Sequence, residues 1–214
     1  MLKELIILGS TGSIGKSTLN VIRKNKTKFK IKLLSTNNNI NKIYSQALEF
    51  KVKNVLIKNK NKYQKFKNNF KRKNINVYFN INDALKKYKK KVFCSINAIS
   101  GIEGLEPTLQ IIKYSKNIAL ANKESIICGW NFISKELKKN NTNFIPLDSE
   151  HFSIWSMLKN ENLQNVKKIY LTASGGPFLS KNLSQIYNIK AKYALKHPNW
   201  SMGKKISIDS ATMM

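Results

Sequence analysis

An α/β fold built on a parallel sheet is predicted by three observations. Short apolar runs alternate with longer helical stretches up to residue 146. A glycine-rich turn directly follows the first of those runs. The 42% hydrophobic content of the 214 residues is enough to bury one domain well and to begin a second.

In chain order, Glu4 to Leu8 (ELIIL) is apolar without alternation and stops near Gly9, as expected of a parallel strand buried on both faces. A helix is expected from Ile14. Further strands are predicted at 31–34, 54–57, 76–79, 91–95, 117–120 and 143–146, with helices between them such as 40–50 and 124–138. Strands alternating with helices in this way predict parallel pairing. After Pro146 the rhythm changes to turn-rich clusters, DSEH, SGGP and HPNW, so a domain boundary is placed there, with 1–146 and 147–214 as the two parts. No internal repeat is present.

Composition excludes several classes. No apolar run approaches the roughly 20 residues of a membrane-spanning helix, and the opening MLKELIILGS has no signal-peptide cleavage site, so a cytoplasmic enzyme with no membrane partner is expected. Cys94 and Cys128 have no C-x-x-C spacing and predict neither a disulfide framework nor a structural zinc site. The 39 Lys+Arg against 11 Asp+Glu give a net charge of +28, which invites a nucleic-acid reading. The lysines, however, are spread along the chain among asparagine and isoleucine, the residues that accumulate in A- and T-rich coding sequence. No nucleic-acid-binding motif accompanies them, so no nucleic-acid partner is expected. A rival from another class is a non-catalytic cationic protein that uses its α/β scaffold only to bind.

The strongest motif is Gly9-Ser10-Thr11-Gly12-Ser13-Ile14-Gly15 between a strand and a helix, the setting of a Rossmann-type dinucleotide turn. Gly9 permits the tight exit, Gly12 lets backbone approach a pyrophosphate, and Gly15 lets the helix pack closely, while N–H groups at the helix start receive negative charge. A triphosphate-binding loop needs four residues between its glycines, and Gly9 to Gly15 has five between. A glycine-rich turn that binds nothing would read the same.

Asn122-Lys123-Glu124 follows the 117–120 strand at the edge where such sheets hold ligands, yet it reads equally as an ordinary helix start with Asn122 as N-cap. Asp148 and Glu150 flank Ser149; in extended chain alternate residues point one way, so the two carboxylates can share a divalent cation, or form a solvated acidic turn. His151 beside them can serve as a ligand, but reads rather as capping or packing the next helix. Ser174-Gly175-Gly176-Pro177 suits a phosphate or is merely a loop.

In order, LGSTGSIG, LANKES, PLDSEH, SGGPF and HPNWSMGKKISIDSATMM resemble 1-deoxy-D-xylulose 5-phosphate reductoisomerases along the whole chain. The resemblance implies a Rossmann-like NADPH-binding domain, then the start of an α/β catalytic domain with a lid between Ser174 and Gly203. The implied reaction is a rearrangement of 1-deoxy-D-xylulose 5-phosphate on Mg2+ or Mn2+, then reduction by NADPH to 2-C-methyl-D-erythritol 4-phosphate, in a homodimer. Cofactor contacts are implied at Thr11, Gly12, Ser13, Ile14, Asn122, Glu124 and Gly203. Substrate contacts are implied at Lys123, Ser149, Glu150, Ser174, His197 and Ser210. Metal ligands are implied at Asp148 and Glu150, and these two with Lys123 form the catalytic set.

Two departures stand out. Asn37-Asn38-Asn39 occupies the cofactor turn where the family commonly has Gly-(Lys/Arg/Ser)-Asn, so Asn37 is expected to take a left-handed conformation and Asn38 removes a cation for the 2′-phosphate. The sequence also stops at Met213-Met214, before the family's segment carrying a further asparagine, lysine and carboxylate. The C-terminal helical domain is expected to be absent, and this chain alone is expected to turn over little substrate.

Overall fold

The structure is a computed structural model that describes residues 2–172, 175–201 and 203–212. It divides into two compact units, residues 1–159 and 160–214.

The first unit is a seven-stranded parallel sheet. Its strands are β1 (Lys3–Leu8), β2 (Phe29–Thr36), β3 (Asn54–Ile57), β4 (Asn76–Tyr78), β5 (Val92–Asn97), β6 (Ser115–Leu120) and β7 (Asn143–Pro146). The order across the sheet is β4-β3-β2-β1-β5-β6-β7. The chain therefore builds outward from β1 to β4, returns to pair β5 with β1, and builds outward again. Crossovers are made by α1 (Ser13–Lys24), α2 (Ile40–Glu49), α3 (Lys60–Lys71), α4 (Ile81–Leu85), α5 (Leu105–Ile112) and α6 (Lys123–Lys139), and α7 (Ser149–Leu158) follows β7.

The run in β1 is continuous because both faces are covered. Leu5 and Ile7 face a core that includes Leu19, Ile22, Ile43 and Phe70 from α1, α2 and α3. Ile6 and Leu8 face a second core with Leu85, Ile111, Ile133 and Leu137 from α4, α5 and α6. All four β1 side chains are at most 4% exposed, and such burial stabilises by about 1.5–3 kcal/mol per large aliphatic side chain.

Helix α3 escaped the sequence reading because KNKYQKFKNNFK is polar almost all round. Its apolar residues Tyr63, Phe66 and Phe70 nevertheless recur at helical spacing and pack on one core. Asn59 caps it by accepting from the Lys62 N–H at 3.0 Å.

A buried polar brace fixes the turn after β1. The Ser10 hydroxyl lies 2.8 Å from Gln46 Oε1, and Gln46 Nε2 donates back to the Ser10 carbonyl at 3.0 Å. The Gly9 N–H donates to Ser35 Oγ at 2.8 Å, and the Thr11 and Thr36 hydroxyls pair at 2.9 Å. The second unit contains α8 (Leu183–Tyr187) and α9 (Lys204–Thr212), with a 3-10 turn at Ala191–Leu195 between them and two more, Leu163–Asn165 and Gly176–Phe178, before α8. None of the described helices is long and apolar enough to cross a membrane.

Because Gln46 is 4% exposed and satisfies two groups of Ser10, Gln46→Leu is expected to lower the unfolding free energy by about 1–3 kcal/mol. Urea denaturation reads this as a lower midpoint at unchanged slope.

Candidate active site

Parallel strands leave all their carboxyl ends on one edge, and the sheet reverses its direction of growth there between β1 and β5. At that edge Gly9 has φ +74°, and a Cβ on it would lie 2.6 Å from the Ala98 carbonyl oxygen after β5. A Cβ on Gly15 would overlap Gly9 and Ser10 backbone. Both glycines are thus demanded by the fold itself. Gly12 differs: its φ of −75° suits any residue, and its nearest neighbour to an added Cβ is the Gly9 carbonyl oxygen at 3.4 Å. The structure does not itself require glycine at position 12, and the surface beside it is left open.

Gly12 is the N-cap of α1, with no side-chain cap, and the first bond of the helix runs from the Lys16 N–H to the Gly12 carbonyl at 2.9 Å. The N–H groups of Ser13, Ile14 and Gly15 precede that bond and carry the positive end of the helix dipole. No acidic residue occupies the first turn. A pyrophosphate fits such a place, and Thr11 beside it is anchored through Thr36.

The neighbouring turn, Asn37 to Asn39, is exposed. Asn37 is not left-handed: the described non-glycine residues with positive φ are Lys51, Asn74 and Asn141. Hydrogen bonds hold the turn in ordinary backbone space, with the Asn59 N–H on the Asn37 carbonyl at 3.4 Å and the Asn39 N–H on the Thr36 hydroxyl at 3.3 Å. Asn39 caps α2 through the Lys42 N–H at 3.1 Å.

Asn122 stands at the N-cap position of α6, but its side chain does not cap. Its Nδ2 donates to the Ile99 and Gly101 carbonyls, both at 2.8 Å, which turns Oδ1 to a place where no described residue donates. At 5% exposure, that orphaned acceptor favours a ligand-facing role over an ordinary helix start. Lys123 and Glu124 begin the helix and are half-buried.

Asp148 and Glu150 do not alternate along a strand. Asp148 is the N-cap of α7 and Glu150 lies in its first turn, so the period-two argument fails. Asp148 Oδ1 accepts the His151 N–H at 2.9 Å and lies 2.6 Å from His151 Nδ1, making Asp148, not His151, the capping residue. Glu150 Oε2 accepts from the Ser149 hydroxyl at 2.9 Å. Among the described residues no three His, Cys, Asp or Glu side chains converge. The pair offers hard oxygen donors of the kind Mg2+ and Mn2+ take, with the second Asp148 oxygen outside the cap.

In the second unit, His197 Nδ1 accepts the N–H groups of Asn199 and Trp200, each at 3.1 Å, and its ring stacks on Trp200 at 4.8 Å. With Nδ1 engaged as an acceptor, the neutral ring carries its proton on Nε2, a donor suited to an anion. Gly176 has φ +61°, and a Cβ there would lie 2.6 Å from the Ser210 carbonyl oxygen, so the SGGP loop and α9 meet at glycine-only distance. Gly203 accepts the Ser207 N–H just before α9 at 3.0 Å. Ser174 lies outside the described residues.

The family sequence model described as 1-deoxy-D-xylulose 5-phosphate reductoisomerase matches residues 5–129, and that of the reductoisomerase C-terminal domain matches 144–214. The chain belongs to the 1-deoxy-D-xylulose 5-phosphate reductoisomerase family. The reductoisomerase of Pelagibacter ubique is 53% identical over all of this chain and 55% of its own length. That of Clostridium kluyveri is 40% identical over all of this chain and 56% of its own. The chain thus spans about half the length of the curated relatives it matches. A reductoisomerase crystallised with NADPH, fosmidomycin and magnesium superposes with a TM-score of 0.88 at 34% identity, over 99% of this chain and 55% of that one. The Zymomonas mobilis enzyme with NADPH gives 0.85 at 31% identity, over 100% and 55%. The Rossmann-like α/β fold read from the turn is therefore the reductoisomerase fold.

The glycines separate structure from ligand. Gly12→Val, which puts a poor N-cap residue at an exposed helix start, is expected to lose about 1 kcal/mol or less, whereas Gly15→Val, forced into backbone, is expected to lose about 3 kcal/mol or more in the same denaturant titration.

Proposed function

We propose that residues 1–214 carry the NADPH- and metal-binding part of a reductoisomerase that converts 1-deoxy-D-xylulose 5-phosphate to 2-C-methyl-D-erythritol 4-phosphate. The observation that carries this reading is the conjunction, at one sheet edge, of the uncapped α1 amides beside Gly12, the orphaned Asn122 acceptor and the Asp148/Glu150 pair.

When bound, NADPH supplies the reducing equivalents and the divalent ion supplies Lewis acidity. The chain supplies positions. The Ser13 and Ile14 amides, with that of Gly15 behind them, hold the pyrophosphate by backbone donation, while Gly12 leaves it room and Thr11 borders it, and Asn37 to Asn39 border the ribose end. Asn122 Oδ1 accepts from the cofactor, with Glu124 and Gly203 as further contacts. Asp148 and Glu150 hold the ion, with Glu150 and Ser149 also toward the substrate. Lys123 places a positive charge where negative charge develops on substrate oxygen. His197 donates from Nε2 to the phosphate, assisted by Ser174 and Ser210, and the indole of Trp200 helps exclude water. The proposed setting is cytoplasmic, the proposed assembly a homodimer, and the basic surface a solvated one without a nucleic-acid partner.

Isothermal titration tests the cofactor site: the parent binds NADPH, and folded Gly12→Val does not, because a branched side chain displaces the pyrophosphate. Unchanged affinity in that variant overturns the assignment of the turn. Residues 1–214 by themselves present two metal carboxylates, so they are expected to bind NADPH while oxidising it only weakly with 1-deoxy-D-xylulose 5-phosphate and Mn2+. Robust turnover with the methylerythritol product identified contradicts that expectation.

A further inference from the structure

We propose that Lys58 and Lys60, at the start of α3, supply the positive charge that selects the ribose 2′-phosphate of NADPH over the bare 2′-hydroxyl of NADH. The inference rests on the cofactor reading above and deepens it. A dinucleotide fold that takes NAD places a carboxylate near the end of the second strand for the ribose hydroxyls, whereas one that takes NADP needs a cation nearby. From Ser35 to Asn39 this chain has neither. No Asp or Glu occurs between Glu4 and Glu49, or between Glu49 and Asp83, so nothing acidic in these loops repels a phosphate.

The cation has to come from the next loop, and the structure fastens that loop to the asparagine turn. The Lys58 N–H donates to the Thr36 carbonyl at 3.0 Å and the Asn59 N–H to the Asn37 carbonyl at 3.4 Å. Asn59 Nδ2 donates to Asn38 Oδ1 at 2.8 Å. The residue that lacks a cation is thereby tied to the residue flanked by two. Both lysines are exposed, and neither joins an ion pair among the described residues. Lys42, in the first turn of α2, is a weaker candidate. The Glu49 carboxyl is held below its ordinary value chiefly by its hydrogen bond to Arg23, and Lys42 contributes to that field, so part of its charge is already answered.

A charge-assisted contact to phosphate is worth about ten- to a hundredfold in affinity. Titration of Lys58→Ala/Lys60→Ala with both cofactors is therefore expected to weaken NADPH about tenfold or more and to leave NADH within about twofold, with the circular dichroism spectrum unchanged. The parent's NADPH affinity should fall more steeply with added salt than the double variant's. Adding Asn38→Lys to the double variant should restore the preference, since the new ammonium arises one hydrogen bond away. An unchanged NADPH-to-NADH ratio in the double variant, or equal loss of both cofactors, overturns the proposal while leaving the cofactor site intact. If the unsubstituted chain binds neither cofactor, the reading of the turn fails and this proposal fails with it.

Discussion

The close approach of Gly9 to Ala98 is the constraint on which the rest depends. It closes the backbone at the point where the sheet changes direction, between β1 and β5, and where the crossovers from the two strands leave on opposite faces, the place at which open sheets of this kind hold ligands. The Ser10–Gln46 and Gly9–Ser35 hydrogen bonds lock the turn against β2 and α2, so the α1 amides are aimed before any ligand arrives. A preformed donor array avoids the ordering cost that a loose loop has to meet on binding.

Much of this was legible in the sequence. ELIIL announced a strand buried on both faces, and the glycine spacing located the turn, because both signals arise from local sterics and burial. What escaped depended on partners distant in sequence. Helix α3 shows only three apolar residues, and its place follows from cores built by β2 and β3. Asn122 reads as a helix cap until the Ile99 and Gly101 carbonyls, more than twenty residues away, are seen to claim its amide. Asp148 read as part of an extended pair, but the local hydrogen bond to the His151 N–H won and started a helix at Ser149. Asn37 was expected to be left-handed by analogy with glycine, and the bond from the Asn59 N–H keeps it out of that region.

The excess of lysine acquires a more local meaning. Most of the charge is solvated surface, and a diffuse field attracts phosphates without choosing among them. Selection needs cations fixed beside a shaped turn, a condition that Lys58 and Lys60 meet through Asn59. The resemblance of the motifs to the reductoisomerases implies the site residues in order, and the backbone distances add a distinction that it does not make: a side chain at Gly9 or Gly15 would strike backbone, whereas one at Gly12 would not.

The central claim, that the preformed turn at the β1/β5 reversal receives the cofactor, is tested most directly by amide chemical-shift mapping. Titrating NADPH into 15N-labelled protein is predicted to produce the largest shifts at the Ser13, Ile14 and Gly15 N–H groups, with a second group at Asn37 to Asn39. Saturable binding that leaves those amides unmoved and shifts residues elsewhere would contradict it.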